Sequence, residues 1–239
     1  FNILFFLLYA FVSNGQDVWM NPNRGQWDDR VLYAVDISLG RMYLEGDGIT
    51  YHLSDALSHH HLEEKKEEHK TRYHAIKQKF IYSDWKGIYK EKKSSSHYNN
   101  YILGNDSSKW KSNVPSFKEV SLNEFSNKID MFYDSHGEGL FYGFKLNPGA
   151  NINNLSFRFE GAQNVLIDNE GNLHITHRFG EIVQSAPKAW IKKGLKKEKI
   201  RVHFNLKNEL ISFVLPEDYD RSDTLIIDPS LTFSTFSGS

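Results

Sequence analysis

YILGNDSSKWKSNVPSFKEVSLNEFSNKIDMFYDSHGEGLFYGFKLNPGANINNLSFRFEG, residues 101–161, is the stretch that decides the fold of this chain. Short segments rich in Phe, Tyr, Val and Leu alternate here with polar turns such as Asn147-Pro148-Gly149. Aromatic and β-branched side chains fit the pleated surface of a strand, while Asn, Pro and Gly supply turn conformations. Short strands at this spacing are typical of antiparallel all-β domains. We therefore predict an all-β fold, an antiparallel β-sandwich or an open-barrel-like domain.

The same alternation of apolar and polar residues continues on both sides of this stretch. Asp47-Gly48 lies between two alternating apolar runs, which predicts a hairpin. Pro187 interrupts the run 180–191, which suits an edge strand or a bulge. The predicted strands are 31–38, 41–48, 49–53, 73–83, 96–104, 116–121, 128–134, 139–146, 154–160, 163–168, 172–177, 180–191, 197–206, 209–215, 224–228 and 231–236.

Three polar segments are predicted to lie outside the strands. Residues 84–96 are rich in lysine and predict an exposed loop, and residues 105–115 predict a long irregular turn that Pro115 closes. Residues 54–70 are dense in Glu, Lys and His and indicate one short charged helix or a linker. The run His59-His60-His61 could bind a metal ion loosely, but a solvated charged helix accounts for it better.

Composition excludes several classes of function. The 239 residues include no cysteine, which excludes disulfides, thiolate catalysis and cysteine-ligated metals. The 29 basic and 30 acidic residues leave a net charge of -1, so no overall positive field attracts nucleic acid. Aromatic residues make up 14% of the chain, which again favours β structure.

The N-terminal residues 1–15 carry an uncharged apolar run that ends at Val12. This run is shorter than the ~20 apolar residues that a membrane-spanning helix needs. Its length matches the apolar core of a signal peptide, and Ser13 and Gly15 place small residues before a cut at Gln16. We expect a signal peptide, truncated at its start, and therefore a secreted or cell-surface protein.

The order and spacing of several motifs resemble a known family over nearly all of residues 17–239. The matching segments are Asn21–Trp27, Gly40–Glu45, Tyr101–Trp110, Asn113–Pro115, Ile129–Tyr133, Pro148–Ala150, Phe157–Ala162 and Ile227–Pro229. They are similar to a domain of unknown function that lies near the N-terminus of large secreted Bacteroidetes proteins, directly before β-propeller repeats of the SBBP type. The residues that mark this structural motif are Asn105, Asp106, Trp110, Pro115, Pro148, Gly149, Gly161, Asp228 and Pro229.

This resemblance implies a domain organisation and a class of protein. It implies an extracellular module over residues 16–230, and residues 231–239 look like the first strand of a following repeat domain, such as a β-propeller. Proteins of this kind are often exported by type IX secretion and associated with gliding. The family supplies no activity and no catalytic residues.

Motifs that would carry chemistry are weak in this sequence. Ser135-His136 lies outside any G-x-S-x-G motif, and the acidic residues show no marked pair. Asp168–Asn172 reads as a β-turn rather than a calcium loop, and His174 and His177 fall on opposite faces of a strand. We predict a non-catalytic structural or interaction module without a cofactor, whose partners are the downstream domains of the same chain.

Exposed aromatic residues support an alternative function, that of a carbohydrate- or protein-binding module. Trp27, Trp85 and Trp110 are the candidates for stacking against a ligand. Aromatic side chains more often fill core and edge positions, so their exposure decides between the two interpretations.

Overall fold

A computed structural model describes residues 18–55, 71–83, 85–136, 139–194, 196–217, 219–229 and 231–235. Its strands form three antiparallel sheets, none of which closes into a barrel. The predicted all-β, antiparallel fold class is thus confirmed. The helices of the described residues are two short 3-10 segments, Ser107–Lys109 and Ile152–Asn154, and neither is long or apolar enough to cross a membrane.

The strands follow one another closely along the chain. The first nine strands are β1 Asn21–Pro22, β2 Val31–Ile37, β3 Gly40–Glu45, β4 Gly48–Ser54, β5 Tyr73–Phe80, β6 Tyr89–Tyr101, β7 Lys111–Ser126, β8 Ile129–His136 and β9 Gly139–Leu146. The others are β10 Ser156–Glu160, β11 Asn164–Ile167, β12 Leu173–His177, β13 Gly180–Gln184, β14 Lys188–Lys193, β15 Lys196–Ile200, β16 His203–Lys207, β17 Leu210–Val214, β18 Thr224–Asp228 and β19 Leu231–Thr235.

The chain crosses repeatedly between the three sheets. The eight-stranded sheet has the order β1-β2-β3-β4-β5-β10-β17-β16, and the seven-stranded sheet has the order β15-β14-β18-β9-β8-β7-β6. A four-stranded sheet has the order β11-β12-β13-β19. Each sheet contains neighbouring strands that are distant in sequence, namely β5 and β10, β9 and β18, and β13 and β19.

The two large sheets pack together through aromatic side chains. The ring of Phe80 on β5 lies 5.2 Å from that of Phe125 on β7 and 5.5 Å from that of Phe144 on β9. Phe144 in turn contacts Phe213 on β17 at 5.9 Å. Edge-to-face contacts of this kind stabilise a core beyond the area that they bury, and they account for folding without disulfides.

A ring of buried polar side chains joins all three sheets. The side-chain amide Nε2 of Gln78 on β5 donates to the Tyr142 hydroxyl on β9 at 3.0 Å, and that hydroxyl donates to the side-chain oxygen Oε1 of Gln184 on β13 at 2.8 Å. The side-chain Nε2 of Gln184 closes the ring by donating to Oε1 of Gln78 at 2.8 Å. Both glutamines are fully buried. Satisfied networks of this kind fix one arrangement of a core, because any other packing leaves polar groups unpaired.

The turn at Asn147-Pro148-Gly149 forms as predicted. The Ala150 amide donates to the Asn147 carbonyl at 2.9 Å, and Gly149 adopts a φ of 76°. Proline at the second position and a positive φ at the third define a type II turn, which glycine adopts without strain.

Two predicted loops proved to be strand in part, while residues 105–110 form the predicted irregular turn with the 3-10 segment Ser107–Lys109. Most of 84–96 belongs to β6, and β7 begins at Lys111 and passes through Pro115, which lies opposite Tyr98 of β6. The sequence prediction failed because this hairpin exposes polar residues on both faces, so the pattern shows no alternation. Pro115 costs no ladder bond to β8, since that pairing starts only at Glu119.

Two long predicted strands are each divided in the structure. Pro187 separates β13 from β14, and Arg201-Val202 separates β15 from β16, so each pair of strands enters two different sheets. The strand predicted over 231–236 forms as β19 and pairs with β13 along its length. Its assignment to a following domain stays a prediction. The segment 56–70, which holds most of the predicted helix or linker and the histidine run, lies outside the described residues.

Candidate ligand groove

An open groove of about 700 Å³ lies where the β3–β4 turn meets the end of β5. It is lined by Asp29, Arg30, Leu32, Gly46, Asp47, Lys77, Lys79, Ser83 and Trp85. Polar groups thus surround one large aromatic side chain. Another groove, of about 590 Å³, is lined only by polar residues, namely Lys86, Glu124, Ser126, Asn127, Lys128, Asp130 and Asn147.

The indole of Trp85 is held in place by backbone groups. Its Nε1 donates to the Ile88 carbonyl at 3.0 Å. Its six-membered ring lies directly over Gly46, so close that a Cβ at this position would be 2.7 Å from Cε3. The Ser83 hydroxyl donates to the Gly46 carbonyl at 2.7 Å and fixes the segment that leads into Trp85. The indole is therefore positioned before any ligand arrives.

The charged groups at one side of this groove pair with one another. Lys77 Nζ lies 2.6 Å from Glu45 and 2.8 Å from Asp47. Burial lowers the pKa of Lys77, but the hydrogen bonds to Asp47 and Glu45 outweigh it and leave the pKa raised. Lys77 therefore keeps its positive charge and is already paired with two carboxylates.

A smaller hollow of about 220 Å³ lies beside this groove, on the side of β6. Asp29 and Leu32 line both spaces, and Tyr89 lies in the smaller one. The ring of Tyr89 is 6.4 Å from that of Trp85 and is 41% exposed, so two aromatic side chains follow one another along the groove.

The smaller hollow rests on a hydrogen-bonded cluster. Arg24 lies 3.4 Å from the Tyr89 hydroxyl and 3.2 Å from the Glu91 carboxylate. The Tyr33 hydroxyl donates to the same carboxylate at 2.8 Å, and burial together with this bond raises the pKa of Tyr33 far above its usual range. Glu91 thus anchors β6 to β2 and orients Arg24.

Asp29 is the polar group best placed to meet a ligand. Its side chain is exposed at the point where the two spaces join. Within the residues that the structure describes, its carboxylate takes part in no ion pair or hydrogen bond, whereas neighbouring Asp28 pairs with Arg30 at 2.9 Å. A free carboxylate accepts hydrogen bonds from hydroxyl groups.

The three tryptophans proposed for stacking do not form one platform. Trp27 contacts Tyr101 at 5.1 Å, and Trp110, which is 44% exposed, donates its Nε1 to the Gly104 carbonyl at 3.2 Å. Both lie at the end of the β6–β7 hairpin where residues 102–110 connect the two strands, whereas Trp85 lies at the β3–β4 turn. Only Trp85 belongs to the groove.

The residues of the predicted structural motif serve in turns and strand ends. Asp106, next to Asn105, accepts from the Ser108 amide at 3.1 Å and caps the first 3-10 segment. Gly161 has a φ of 86°, and a Cβ there would lie 2.6 Å from the Ala75 carbonyl. Asp228 ends β18 and is followed by the buried Pro229.

His174 of the small sheet lies between two carboxylates. Asp168 and Glu181 flank His174 at 2.9 and 3.0 Å, and these two carboxylates raise the pKa of His174. The Gly171 backbone amide donates to the Asp168 backbone carbonyl at 3.1 Å, which closes the predicted β-turn, and the Asp168 carboxylate accepts from the Asn172 backbone amide at 2.8 Å. Among the described ranges, no group of three or more His, Cys, Asp or Glu side chains is arranged to hold a metal ion.

His177 lies on the opposite face of β12 and is buried against His74. The two rings are 6.2 Å apart, and His177 Nδ1 accepts from the Phe179 amide at 3.2 Å. In the described part of the molecule, His177 Nε2 makes no hydrogen bond. Burial, with a smaller effect of His74, lowers the pKa of His177 to about 4.

The fold and the groove together describe an all-β module with an open polar groove. A family model described as a domain of unknown function, DUF7948, matches residues 20–230, and the chain belongs to this family. No curated protein and no solved structure matches the chain at a significant level.

Sequence reasoning found one aromatic residue of the groove and missed its polar partners. Trp85 was predicted to stack against a ligand, but Asp29, Lys77 and Tyr89 carried no motif that set them apart. The hairpin pattern at Asp47-Gly48 placed one wall of the groove, but the pairing of β4 with β5 that brings Lys77 there is long-range.

Proposed function

We propose that this chain is a non-catalytic extracellular module of a larger secreted or cell-surface protein, which holds and presents the domain that follows it. The observation that carries the proposal is the pairing of β19 with β13 immediately after Asp228-Pro229. A domain that continues from β19 would be attached to this core through a paired strand rather than through a loose linker. The apolar N-terminal run and the resemblance to modules that precede SBBP-type repeats also support this function.

The export part of this proposal is tested by tagging the full-length protein in its native host. We expect shaving of intact cells with protease, or analysis of the culture medium, to recover the tag outside the cytoplasm. Recovery only from the cytoplasmic fraction would refute export. The presenting part is tested by calorimetry of the full-length protein and of variants that carry a Gly-Ser spacer after Thr235, between β19 and the domain that would continue from it. Identical unfolding of the adjoining domain with and without the spacer would refute coupling through β19.

A second candidate function, that of a binding module for an extracellular glycan or protein, is favoured by the groove at Trp85. A pre-positioned indole beside a few polar side chains is typical of sites in which those polar groups orient the ligand.

A further inference from the structure

The chemistry of the groove indicates which class of ligand it accepts. We propose that the groove between Trp85 and Asp29 binds a neutral carbohydrate chain, with the indole as the stacking platform and the Asp29 carboxylate as acceptor for ring hydroxyls. This inference rests on the binding-module form of the proposed function and names its ligand class and site.

The indole of Trp85 is a rigid stacking platform. Gly46 lies against one side of the Trp85 ring, and the bond from Nε1 to the Ile88 carbonyl prevents rotation of the indole. A flat aromatic face that is already ordered loses little conformational entropy when a ligand stacks on it. The apolar face of a sugar ring matches such a surface, while its hydroxyl groups remain free to reach polar neighbours.

The pairing of charged side chains in the groove favours a neutral ligand. Lys77 is paired with Glu45 and Asp47, Arg30 is paired with Asp28, and Lys79 lies 4.0 Å from Glu160. An anionic ligand would have to compete with these carboxylates and would approach the unpaired Asp29. A neutral polyol instead donates its hydroxyl hydrogens to Asp29 and leaves the existing ion pairs intact.

The shape of the groove favours a chain of sugars over a single sugar. The spaces of about 700 and 220 Å³ lie side by side and share Asp29 and Leu32 in their walls. Trp85 and Tyr89 follow one another along them at 6.4 Å. An extended oligosaccharide can contact both rings, whereas a monosaccharide reaches one.

A peptide fits this site less well. Peptide recognition depends on apolar pockets that enclose anchor side chains. Leu32 is the one aliphatic side chain that lines the larger space, and charged groups make up most of the remaining wall. The observations therefore favour a glycan.

The test is isothermal titration of the full chain with neutral hexasaccharides of glucose, mannose, xylose and N-acetylglucosamine, and with an acidic oligogalacturonate as comparator. We expect at least one neutral hexasaccharide to bind, with an affinity that high salt leaves unchanged. Asp29→Asn and Trp85→Ala should each weaken this binding by about tenfold or more, since the loss of one charge-assisted bond or one stacking contact is of that order. Trp110→Ala, outside the groove, should bind as the natural chain does.

Controls keep the outcome interpretable. Trp85 packs partly against the core, so its variant is compared by thermal unfolding; Asp29 is exposed, and its substitution leaves the fold unchanged. The proposal is overturned if no neutral hexasaccharide binds more tightly than about 1 mM. It is also overturned if only the acidic comparator binds, or if binding survives both groove variants. Failure here leaves the presentation of a following domain unaffected, since that function is tested by export and by the spacer variants.

Discussion

The buried ring of Gln78, Tyr142 and Gln184 provides the sharpest test of how this fold is specified. Gln78→Leu replaces an amide by an apolar side chain of similar size. Its carbonyl accepts from Gln184 at 2.8 Å and from Tyr51 at 3.1 Å, and its amide donates to Tyr142 at 3.0 Å. Loss of a partner for a buried polar group costs about 1–3 kcal/mol, so two donors that lose their bond to Gln78 cost about 2–6 kcal/mol in all. Domains are stable by only about 5–15 kcal/mol, so the expected loss is a large fraction of the total.

The assay is urea unfolding followed by tryptophan fluorescence, with the free energy of unfolding extrapolated to water. Gln163→Leu serves as the matched control, because Gln163 is exposed, and it should change the stability by less than about 0.5 kcal/mol. The double variant Gln78→Leu with Gln184→Leu removes both amides at once. It should be less destabilised than the sum of the single variants by about 1 kcal/mol or more.

The reasoning would be refuted if Gln78→Leu lowered the free energy of unfolding by no more than the Gln163 control. Strict additivity of the two core substitutions would also contradict a shared network, because independent sites add and coupled sites do not.

Three further predictions follow from buried and strand-end positions. The pKa of His177 lies at about 4, below its ordinary 6.5, so the unfolded chain binds more protons between these pH values and the free energy of unfolding falls by up to about 3 kcal/mol as the pH drops from 6.5 to 4. Urea midpoints at neutral and acidic pH should therefore fall less for His177→Asn than for the natural chain. An equal fall of the midpoint in both proteins would contradict this prediction. Gly143→Ala should destabilise the protein by more than about 2 kcal/mol, because the new Cβ would lie 2.6 Å from the Ile227 carbonyl; an unchanged melting temperature would count against the packing described. A chain that ends at Pro229 lacks β19 and should show faster hydrogen exchange along β13, as mass spectrometry of peptic peptides can measure; unchanged protection would argue that β19 adds nothing to this sheet.

Part of the candidate groove was predictable and part was not. Trp85 was singled out from its residue type, and the turn at Asp47-Gly48 from its hairpin pattern. Asp29 was not found, because an exposed carboxylate in a polar loop resembles any other acidic residue of the surface. Its significance comes from its position between two hollows and from the pairing of its neighbours, which are properties of distant chain segments.

The sequence by itself determined the class of the fold and most strands of the core. Alternation with period two and turn residues such as Pro148 and Gly149 act over a few residues, so they can be recognised locally. Only the tertiary structure decided which strands share a sheet, that Pro115 lies within β7, and that Gln78 and Gln184 meet in one buried ring. These features depend on backbone pairing between segments that are distant in sequence. Where a hairpin is exposed on both faces, such pairing requires no particular type of side chain.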